Sequence, residues 1–373
     1  MKEIKTIVEN LKKATKDGVR TALASVVHVY GSSYRRTGAR MLIREDGYWY
    51  GSVSGGCLEG DVITKAMHTM KSNQAELFTY DTRQNAKNAF GMGYGCNGLL
   101  EILIEPIAYA KESPAFAMFD ELLRGTGTQG LTTIYFSENE KTARIGQRQK
   151  YDGNSTISHR ELSAMVAKDL SACIRNNEAA ASTYRIDGAK IKVFHEVFPP
   201  NIDILIYGAV FHVVPFMHIA KVLGYNVHVT DSFEPIQPIW NFPNAEEIAL
   251  IEDSEVNKLI SSTPQLAVVF LTHNFFYIKE QLPKVLKSAV PYIGILGSRK
   301  KTQKILREAE INETNYSEQQ LQKIHYPIGL DIGADTPEEI ALSILAEIRA
   351  FYAGKGGVPL KTLSGSIHTP KIA

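Results

Sequence analysis

Short apolar strands alternate with helices from Ile202 to about residue 350, and this alternation constrains the fold more than any other feature of the sequence. Each predicted strand is followed by a turn or a helical stretch. The five predicted strands are Ile204–Tyr207, Asn226–Thr230, Glu247–Leu250, Leu266–Leu271 and Tyr292–Leu296. Because strands separated by helices pair in parallel, the pattern predicts an α/β domain with a Rossmann-like, doubly wound parallel sheet.

The last helix of this region carries the clearest start signal. Thr336 is expected at the N-cap, Pro337 at the first helical position, and Glu339 at the third position of a capping box.

The preceding residues predict a second α/β domain. For residues 1–110 we expect a mixed sheet, whereas residues 110–200 are harder to place and are expected to complete the same domain. The predicted helices are Glu3–Lys16, Leu58–Met70 and Pro114–Arg124. The predicted strands are Arg20–Tyr30, Arg40–Arg44, Tyr48–Gly51, Glu76–Tyr80, Leu99–Glu105, Leu131–Phe136 and Ile191–Val197. Because Pro199 and Pro200 break regular structure, we expect domains at 1–200 and 201–352, followed by a tail at 353–373.

The balance of charge excludes several classes of partner. Lysine and arginine total 41 against 40 acidic residues, so no strong field would gather nucleic acid or an anionic membrane. The first residues are charged throughout and lack the apolar run of a signal peptide. Three cysteines do not make a disulfide framework, so we expect a reducing, cytoplasmic setting.

The turn after the first strand of the parallel sheet has the sequence GAVFHV, at residues 208–213. It begins with Gly208, and Asp231 follows 23 residues later, as in a dinucleotide-binding fingerprint. Val210 and Val213 stand where that fingerprint has glycines, and a branched side chain at 210 would occupy the diphosphate position. The turn is therefore either structural or the site of another ligand, and NAD(P) is not the expected one.

A second turn, ILGSRKK at residues 295–301, combines a glycine with basic residues. Gly297 turns the chain, Ser298 is expected to cap a helix, and Arg299 lies in the first helical turn. Cations in that position oppose the helix dipole unless an anion is bound there. The motif predicts an anion site, with solvated surface cations as the alternative.

A third glycine-rich loop, GSVSGGCLEG at residues 51–60, contains a cysteine. Ser54, Gly55 and Gly56 lead into Cys57, which is expected at the start of a helix. The glycines free the backbone to form a nest of N–H groups, and a helix N-terminus favours the thiolate. Cys57 is accordingly a candidate nucleophile or soft-metal ligand, with a buried and inert thiol as the alternative.

Two more residues are candidates by position. Cys96 lies in a fourth glycine-rich loop, GYGCNG at residues 93–98, and could converge with Cys57 on one pocket. No Cys-x-x-Cys pair is present, so a structural zinc site is not expected. His273 follows a predicted parallel strand at the edge where ligands bind in open α/β sheets. Cys173, in a helical stretch, is expected to fill the core.

Several segments resemble one family, the XdhC/CoxI accessory proteins of molybdenum hydroxylases. The matching segments are RRTGARMLI (35–43), GSVSGGCLEGDV (51–62), GYGCNGLLEILIEP (93–106), YIGILGSRKK (292–301) and IHYPIGLDIGADTPEEIALSILAEI (324–348). Two departures are Asn97, where the family pattern has glycine, and Val210, where it has the second glycine of its turn.

The resemblance implies a maturation factor rather than a metabolic enzyme. Such a protein binds molybdenum cofactor, assists its sulfuration and delivers it to xanthine dehydrogenase or a relative. The implied partners are the apo-hydroxylase and a cysteine desulfurase, and we expect a homodimer. Cys57 would approach the metal end of the cofactor, while Ser298 and Arg299 would hold its phosphate. The alternatives are an NAD(P)-dependent oxidoreductase and an adaptor that binds apo-hydroxylase without touching the cofactor.

Overall fold

The computed structural model describes residues 2–83, 98–108, 114–125, 127–209, 211–232 and 250–364. The chain divides into two compact units, Met1–Pro199 and Pro200–Ala373. Among the described residues, no helix is long and apolar enough to cross a membrane.

The first unit begins with a five-stranded sheet and two helices. Its elements are α1 (Lys2–Lys16), β1 (Thr21–Gly31), β2 (Arg40–Arg44), β3 (Trp49–Gly51), α2 (Glu59–Ser72), β4 (Glu76–Asp81) and β5 (Gly98–Ile107). The strand order is β3-β2-β1-β5-β4. The expectation of a mixed sheet is wrong, because every pair is antiparallel. The reason is that β4, after the α2 crossover, pairs with β5 at the far edge rather than with β3.

A second sheet follows in the same unit, formed by residues that were hard to place from sequence. Its elements are α3 (Pro114–Arg124), β6 (Gln129–Ser137), β7 (Arg148–Lys150), α4 (Arg160–Asn176), β8 (Ala180–Ile186) and β9 (Ala189–Phe198). The four strands are antiparallel, in the order β7-β6-β9-β8. Sequence patterns located β6 and β9 but missed the other two strands, since β7 is three polar residues and β8 exposes much of its length.

The two sheets of this unit share a core that contains buried charges. Arg40 of β2 pairs with Glu196 of β9, and Arg148 of β7 pairs with Glu105 of β5. All four side chains are buried. Both guanidinium groups also lie over the ring of Phe119 in α3, with 5.4 Å and 5.7 Å between Cζ and the ring centre. Each ion pair therefore joins a strand of one sheet to a strand of the other.

The second unit is the parallel α/β domain predicted from sequence. Its elements are β10 (Asp203–Tyr207), α5 (Val213–Leu223), β11 (Asn226–Thr230), α6 (Asp253–Ser262), β12 (Leu266–Phe270), α7 (Phe275–Leu286), β13 (Tyr292–Ile295), α8 (Arg299–Glu308), α9 (Glu318–Leu321), β14 (Ile324–His325), α10 (Pro337–Tyr352) and a short 3-10 helix (Leu360–Thr362). All pairs are parallel, in the order β11-β10-β12-β13-β14. One apolar core lies on each face of the sheet, so the doubly wound prediction is confirmed.

Three local predictions in this unit have different outcomes. Of the strand predicted at 247–250, only Leu250 lies within the described residues, and it forms a single parallel bridge to Val229 of β11. The two-residue strand β14 was not predicted, because its length is too short to show a pattern. The start of α10 is confirmed, since the Thr336 side chain accepts from the Glu339 N–H and the Glu339 carboxylate accepts from the Thr336 N–H.

We expect Arg148→Met to lower the free energy of unfolding by about 3–5 kcal/mol, because the Glu105 carboxylate would stay buried without its partner. Replacing Arg148 by Met and Glu105 by Leu in the same variant should recover most of that loss. The measurement is urea unfolding of each variant. Lys284→Met, which removes an exposed pair with Glu280, is the control and should cost at most about 0.5 kcal/mol. A loss for Arg148→Met as small as the control's would contradict the structural role of the buried pair.

Candidate functional site

The carboxyl ends of the parallel strands form one edge of the second unit, and four helices begin there. We call this the carboxyl edge; it comprises residues 208–209, 211–212, 231–232, 271–274, 296–299 and 326–336. From β10 the chain crosses to β11 on one side and later returns to β12 on the other. The gap between β10 and β12 is therefore the point at which strand order reverses, where open α/β sheets bind ligands.

Gly208 is required at this point for two reasons. Its φ is +117°, which residues with a side chain rarely adopt. A Cβ at this position would also lie 2.7 Å from the Thr272 Cβ and 3.0 Å from the Thr272 backbone nitrogen. The glycine thus lets the turn after β10 approach the loop after β12. Val210 lies outside the described residues, so its predicted steric effect stays a prediction.

Asp231 stands at the end of β11, where a dinucleotide-binding protein would direct an acid at a ribose. Its Oδ2 accepts from the Ala209 N–H at 2.7 Å, and its Oδ1 accepts from the Ser232 N–H at 2.7 Å. The carboxylate therefore stabilises the turn after β10.

The Gly297 turn has the predicted geometry. Gly297 has a φ of +134°, and the Ser298 hydroxyl caps α8 by accepting from the Lys301 N–H at 3.3 Å. Arg299 and Lys300 are exposed in the first helical turn. Cations at a helix start are unfavourable by themselves and favourable beside a bound anion.

His273 and the Gly297 turn are brought together at the carboxyl edge. The Lys301 ammonium donates to the His273 carbonyl at 3.2 Å, and burial lowers the pKa of Lys301. His212 lies close by; its pKa is lowered first by burial and then by the neighbouring His273, with Glu338 of α10 acting in the opposite direction. Sequence reasoning counted Lys301 among the cations of the second turn but did not select His212, although His212 lies in the GAVFHV turn that it identified.

Exposed apolar side chains also occur in the segments of this edge and just beyond it. Phe211 follows β10, Phe276 lies in the first turn of α7 and is 78% exposed, and Ile332 lies in the loop after β14. Exposed apolar side chains near polar turns are common where ligands or partners bind.

The Cys57 loop, defined as residues 51–58 in the first unit, has the predicted nest of N–H groups. The nest surrounds the carboxylate of Glu59, the first residue of α2, which receives seven hydrogen bonds. The donors to Oε1 are Ser52 Oγ at 2.8 Å, Val53 N at 3.2 Å, Ser54 N at 2.9 Å and Gly55 N at 3.1 Å. The donors to Oε2 are Ser54 Oγ, Gly56 N at 2.8 Å and Leu58 N at 3.3 Å.

This arrangement alters the expected setting of Cys57. The helix begins at Glu59, one residue after the predicted start, and the amides expected to face a thiolate face the Glu59 carboxylate instead. Cys57 is half-buried and packs against the core beneath α2. Burial alone would raise the pKa of Glu59, but hydrogen bonds from Ser54 and Ser52 lower it to about 2.

The remaining residues of interest in the first unit have different settings. Tyr34 is 70% exposed and its ring lies against the Cys57 loop, because a Cβ on Gly55 would be 2.4 Å from the Tyr34 Cδ1. Cys96 lies outside the described residues. Cys173 is half-buried in α4, and burial raises the pKa of its thiol. In the part of the chain that is described, no group of three or more His, Cys, Asp or Glu residues is placed to hold a metal ion.

The architecture and loops agree with comparisons to known proteins. The family model described as the XdhC Rossmann domain matches residues 204–348, and the model described as the XdhC and CoxI family matches residues 14–81. The two models together match more than half of the chain, which therefore belongs to the XdhC and CoxI family, as the resemblance predicted.

Two sequence relatives and one solved structure are similar to most of the chain. It is 27% identical to a probable xanthine dehydrogenase subunit of Bacillus subtilis, over 89% of this chain and 93% of that protein. It is 23% identical to the molybdenum cofactor insertion chaperone PaoD of Escherichia coli, over 92% and 87% of the two chains. A crystal structure described as a xanthine dehydrogenase of Bacillus halodurans superposes with a TM-score of 0.69 at 27% identity, over 94% and 96%.

An unfavourable backbone conformation alone typically costs about 1–3 kcal/mol. We expect Gly208→Ala to lower the free energy of unfolding of the second unit by more than this. The added Cβ would also displace Thr272. Gly333→Ala is the matched control, because Gly333 has a φ of +71° with no atom within 4 Å of its added Cβ. Urea unfolding of both variants measures the difference, and equal losses would contradict the close approach between the two turns.

The lowered pKa of Glu59 predicts a pH dependence of stability. A carboxylate whose folded pKa lies below its unfolded value stabilises the fold above the unfolded value and loses that contribution as pH falls through the folded one. For Glu59 this window runs from its usual 4.5 down to about 2. Unfolding free energies measured across this range should fall more steeply for wild type than for Glu59→Gln, and parallel curves would show that Glu59 is not the titrating group.

Proposed function

We propose that the protein is a maturation factor for a molybdenum hydroxylase of the xanthine dehydrogenase type. It binds molybdenum cofactor, assists its sulfuration and delivers it to the apo-enzyme. The observation that carries the proposal is that the two units present different chemical groups. The second unit presents basic side chains at the Gly297 turn, whereas the first presents the thiol of Cys57 in a loop whose amides are occupied by Glu59. Membership of the family and the role of the Escherichia coli relative as a molybdenum cofactor insertion chaperone support this assignment.

The Gly297 turn fits the phosphate end of the cofactor. Arg299 and Lys300 are exposed, and the N-terminus of α8 adds backbone N–H groups that favour an anion. His212 and His273 add further donors at the same edge. The start of α10, by contrast, carries Glu338 and Glu339, so the anion belongs on the α8 side of the edge.

The apolar side chains near this edge fit the ring system of the same ligand. A pterin is planar and conjugated, and an aromatic side chain such as Phe276 can stack on it while polar groups hold its edges. Phe276 is the most exposed of the large apolar side chains identified there.

The Cys57 loop fits the metal and sulfur end. Thiolates bind soft metals and accept or transfer sulfur, which a phosphate-binding loop cannot do. Since the Glu59 carboxylate occupies the loop amides, the thiol is the reactive group that the loop presents. A cysteine desulfurase as sulfur donor, a homodimeric state and a reducing, cytoplasmic compartment are parts of the same proposal.

An NAD(P)-dependent oxidoreductase is the second candidate, and the sheet favours it. The parallel bridge from Leu250 to Val229 extends the sheet beyond β11, as in dinucleotide-binding domains. Against it, Asp231 is engaged by the Ala209 and Ser232 amides. Calorimetric titration with NAD, NADP and their reduced forms separates the two functions, since micromolar binding together with substrate turnover would support the oxidoreductase.

The cofactor role is tested by purifying the protein from cells that make molybdenum cofactor. Molybdenum is measured by mass spectrometry and pterin by fluorescence after oxidation. Arg299→Gln should reduce the pterin retained by about tenfold, the effect expected on losing one charge-assisted hydrogen bond to phosphate. Arg307→Gln, in the last turn of the same helix, is the control and should retain wild-type levels.

The thiol is tested in the same preparations. Cys57→Ala should lower both the molybdenum retained and the sulfuration of a partner hydroxylase, whereas Cys173→Ala should change neither. Wild-type values in both assays for Cys57→Ala would remove the thiol from the proposal. Absence of pterin from wild-type protein would overturn cofactor binding itself.

A further inference from the structure

We propose that Glu59 is the positioning residue of Cys57. We also propose that its carboxylate occupies the backbone amides of the Cys57 loop and so prevents phosphate and other anions from solution from binding there. The inference rests on the proposed function in one respect, that Cys57 is the functional thiol. It concerns a residue that is neither a nucleophile nor a ligand and acts through the backbone of its neighbours.

The contacts of Glu59 require an anion. All seven of its partners donate hydrogen bonds, four to Oε1 and three to Oε2. A glutamine in its place would direct an NH2 group at one of these sets, so that at least three donors would face another donor. The loop is thus built around a negative charge, in the manner of a backbone nest that binds an external anion.

The same contacts determine where Cys57 points. The residues on either side of it, Gly56 and Leu58, both donate their N–H groups to Oε2 of Glu59, at 2.8 Å and 3.3 Å. The Leu58 N–H is also held by the Ser54 hydroxyl at 3.0 Å. Because the backbone is fixed on both sides of the cysteine, the direction of its Cα–Cβ bond is fixed as well.

An anion from solution would need the amides that Glu59 already uses, and it would meet the charge of the carboxylate. The loop therefore rejects the phosphate end of a ligand and leaves the thiol for the end that carries metal or sulfur. The loop thus excludes anions because its amides are already occupied, and no additional pocket is required for this selectivity.

The test measures the alkylation of Cys57 by iodoacetamide, resolved from other cysteines by peptide mass spectrometry. In Glu59→Ala the rate should rise several-fold, because the loop loosens and a neighbouring negative charge is lost. Formate or acetate should return it toward the wild-type rate by filling the vacated nest. Glu59→Gln should not respond to formate, since the amide fills the space. The alkylation rate of Cys173 is the internal control and should not change.

Three results would overturn the proposal. They are a wild-type rate in folded Glu59→Ala, a raised rate that formate leaves unchanged, and protection of Cys57 by phosphate or formate in the wild-type protein. If Glu59→Ala does not fold, Ser52→Ala removes one donor to Oε1 and should give a smaller increase of the same kind. The assay contains no molybdenum cofactor, so its failure is distinguishable from failure of the cofactor-retention experiment.

Discussion

The first unit depends on charges buried between its two sheets. Arg40 and Glu196, like Arg148 and Glu105, leave water only because each has its partner across the sheet interface. Arg40 also fixes the start of the Cys57 loop, since its backbone carbonyl accepts from the Ser52 N–H at 3.1 Å. The side chain that joins the sheets and the backbone that begins the loop therefore belong to the same residue.

In the Cys57 loop, too, a partly buried charge is held by partners from neighbouring residues. A run of amides that could bind an external anion is satisfied by Glu59, a residue of the helix that the loop introduces. Burial alone would raise the pKa of this carboxylate, but the hydrogen bonds that the folded loop donates to it outweigh burial and lower the pKa. In the proposed role, a glycine-rich loop of this kind positions a thiol but does not bind phosphate, because its amides are already occupied.

The carboxyl edge of the second unit differs from the Cys57 loop, because it exposes basic groups. Its turns and the first turns of the helices that follow them present exposed basic side chains at Arg299 and Lys300, two neighbouring histidines, and apolar side chains such as Phe276. Two of its turns approach each other closely, because Gly208 permits an approach to Thr272 that any side chain would prevent. The proposed separation of thiol chemistry from phosphate recognition follows from this contrast between the two units.

The parallel sheet of the second unit was predictable because its strands are apolar throughout and its helices have clear limits, such as the capping box at Thr336. The family was predictable because long segments keep their order and spacing. The strands β7 and β8 were not, since polar or exposed strands are specified by their partners rather than by their own pattern. The antiparallel direction of the first sheet likewise depends on which edge β4 reaches after α2.

For the candidate site, sequence alone determined which turns to consider and which residue types they contain: the glycines, Cys57, His273, Ser298 and Arg299. Only the tertiary structure decided what those turns are occupied by. Glu59 appears in the sequence as one more acid at the start of a helix, and Asp231 as a possible ribose ligand. Both carboxylates prove to be bound by amides of nearby loops. The reason is physical: a hydrogen bond depends on distance and direction, which are set by folding rather than by spacing along the chain.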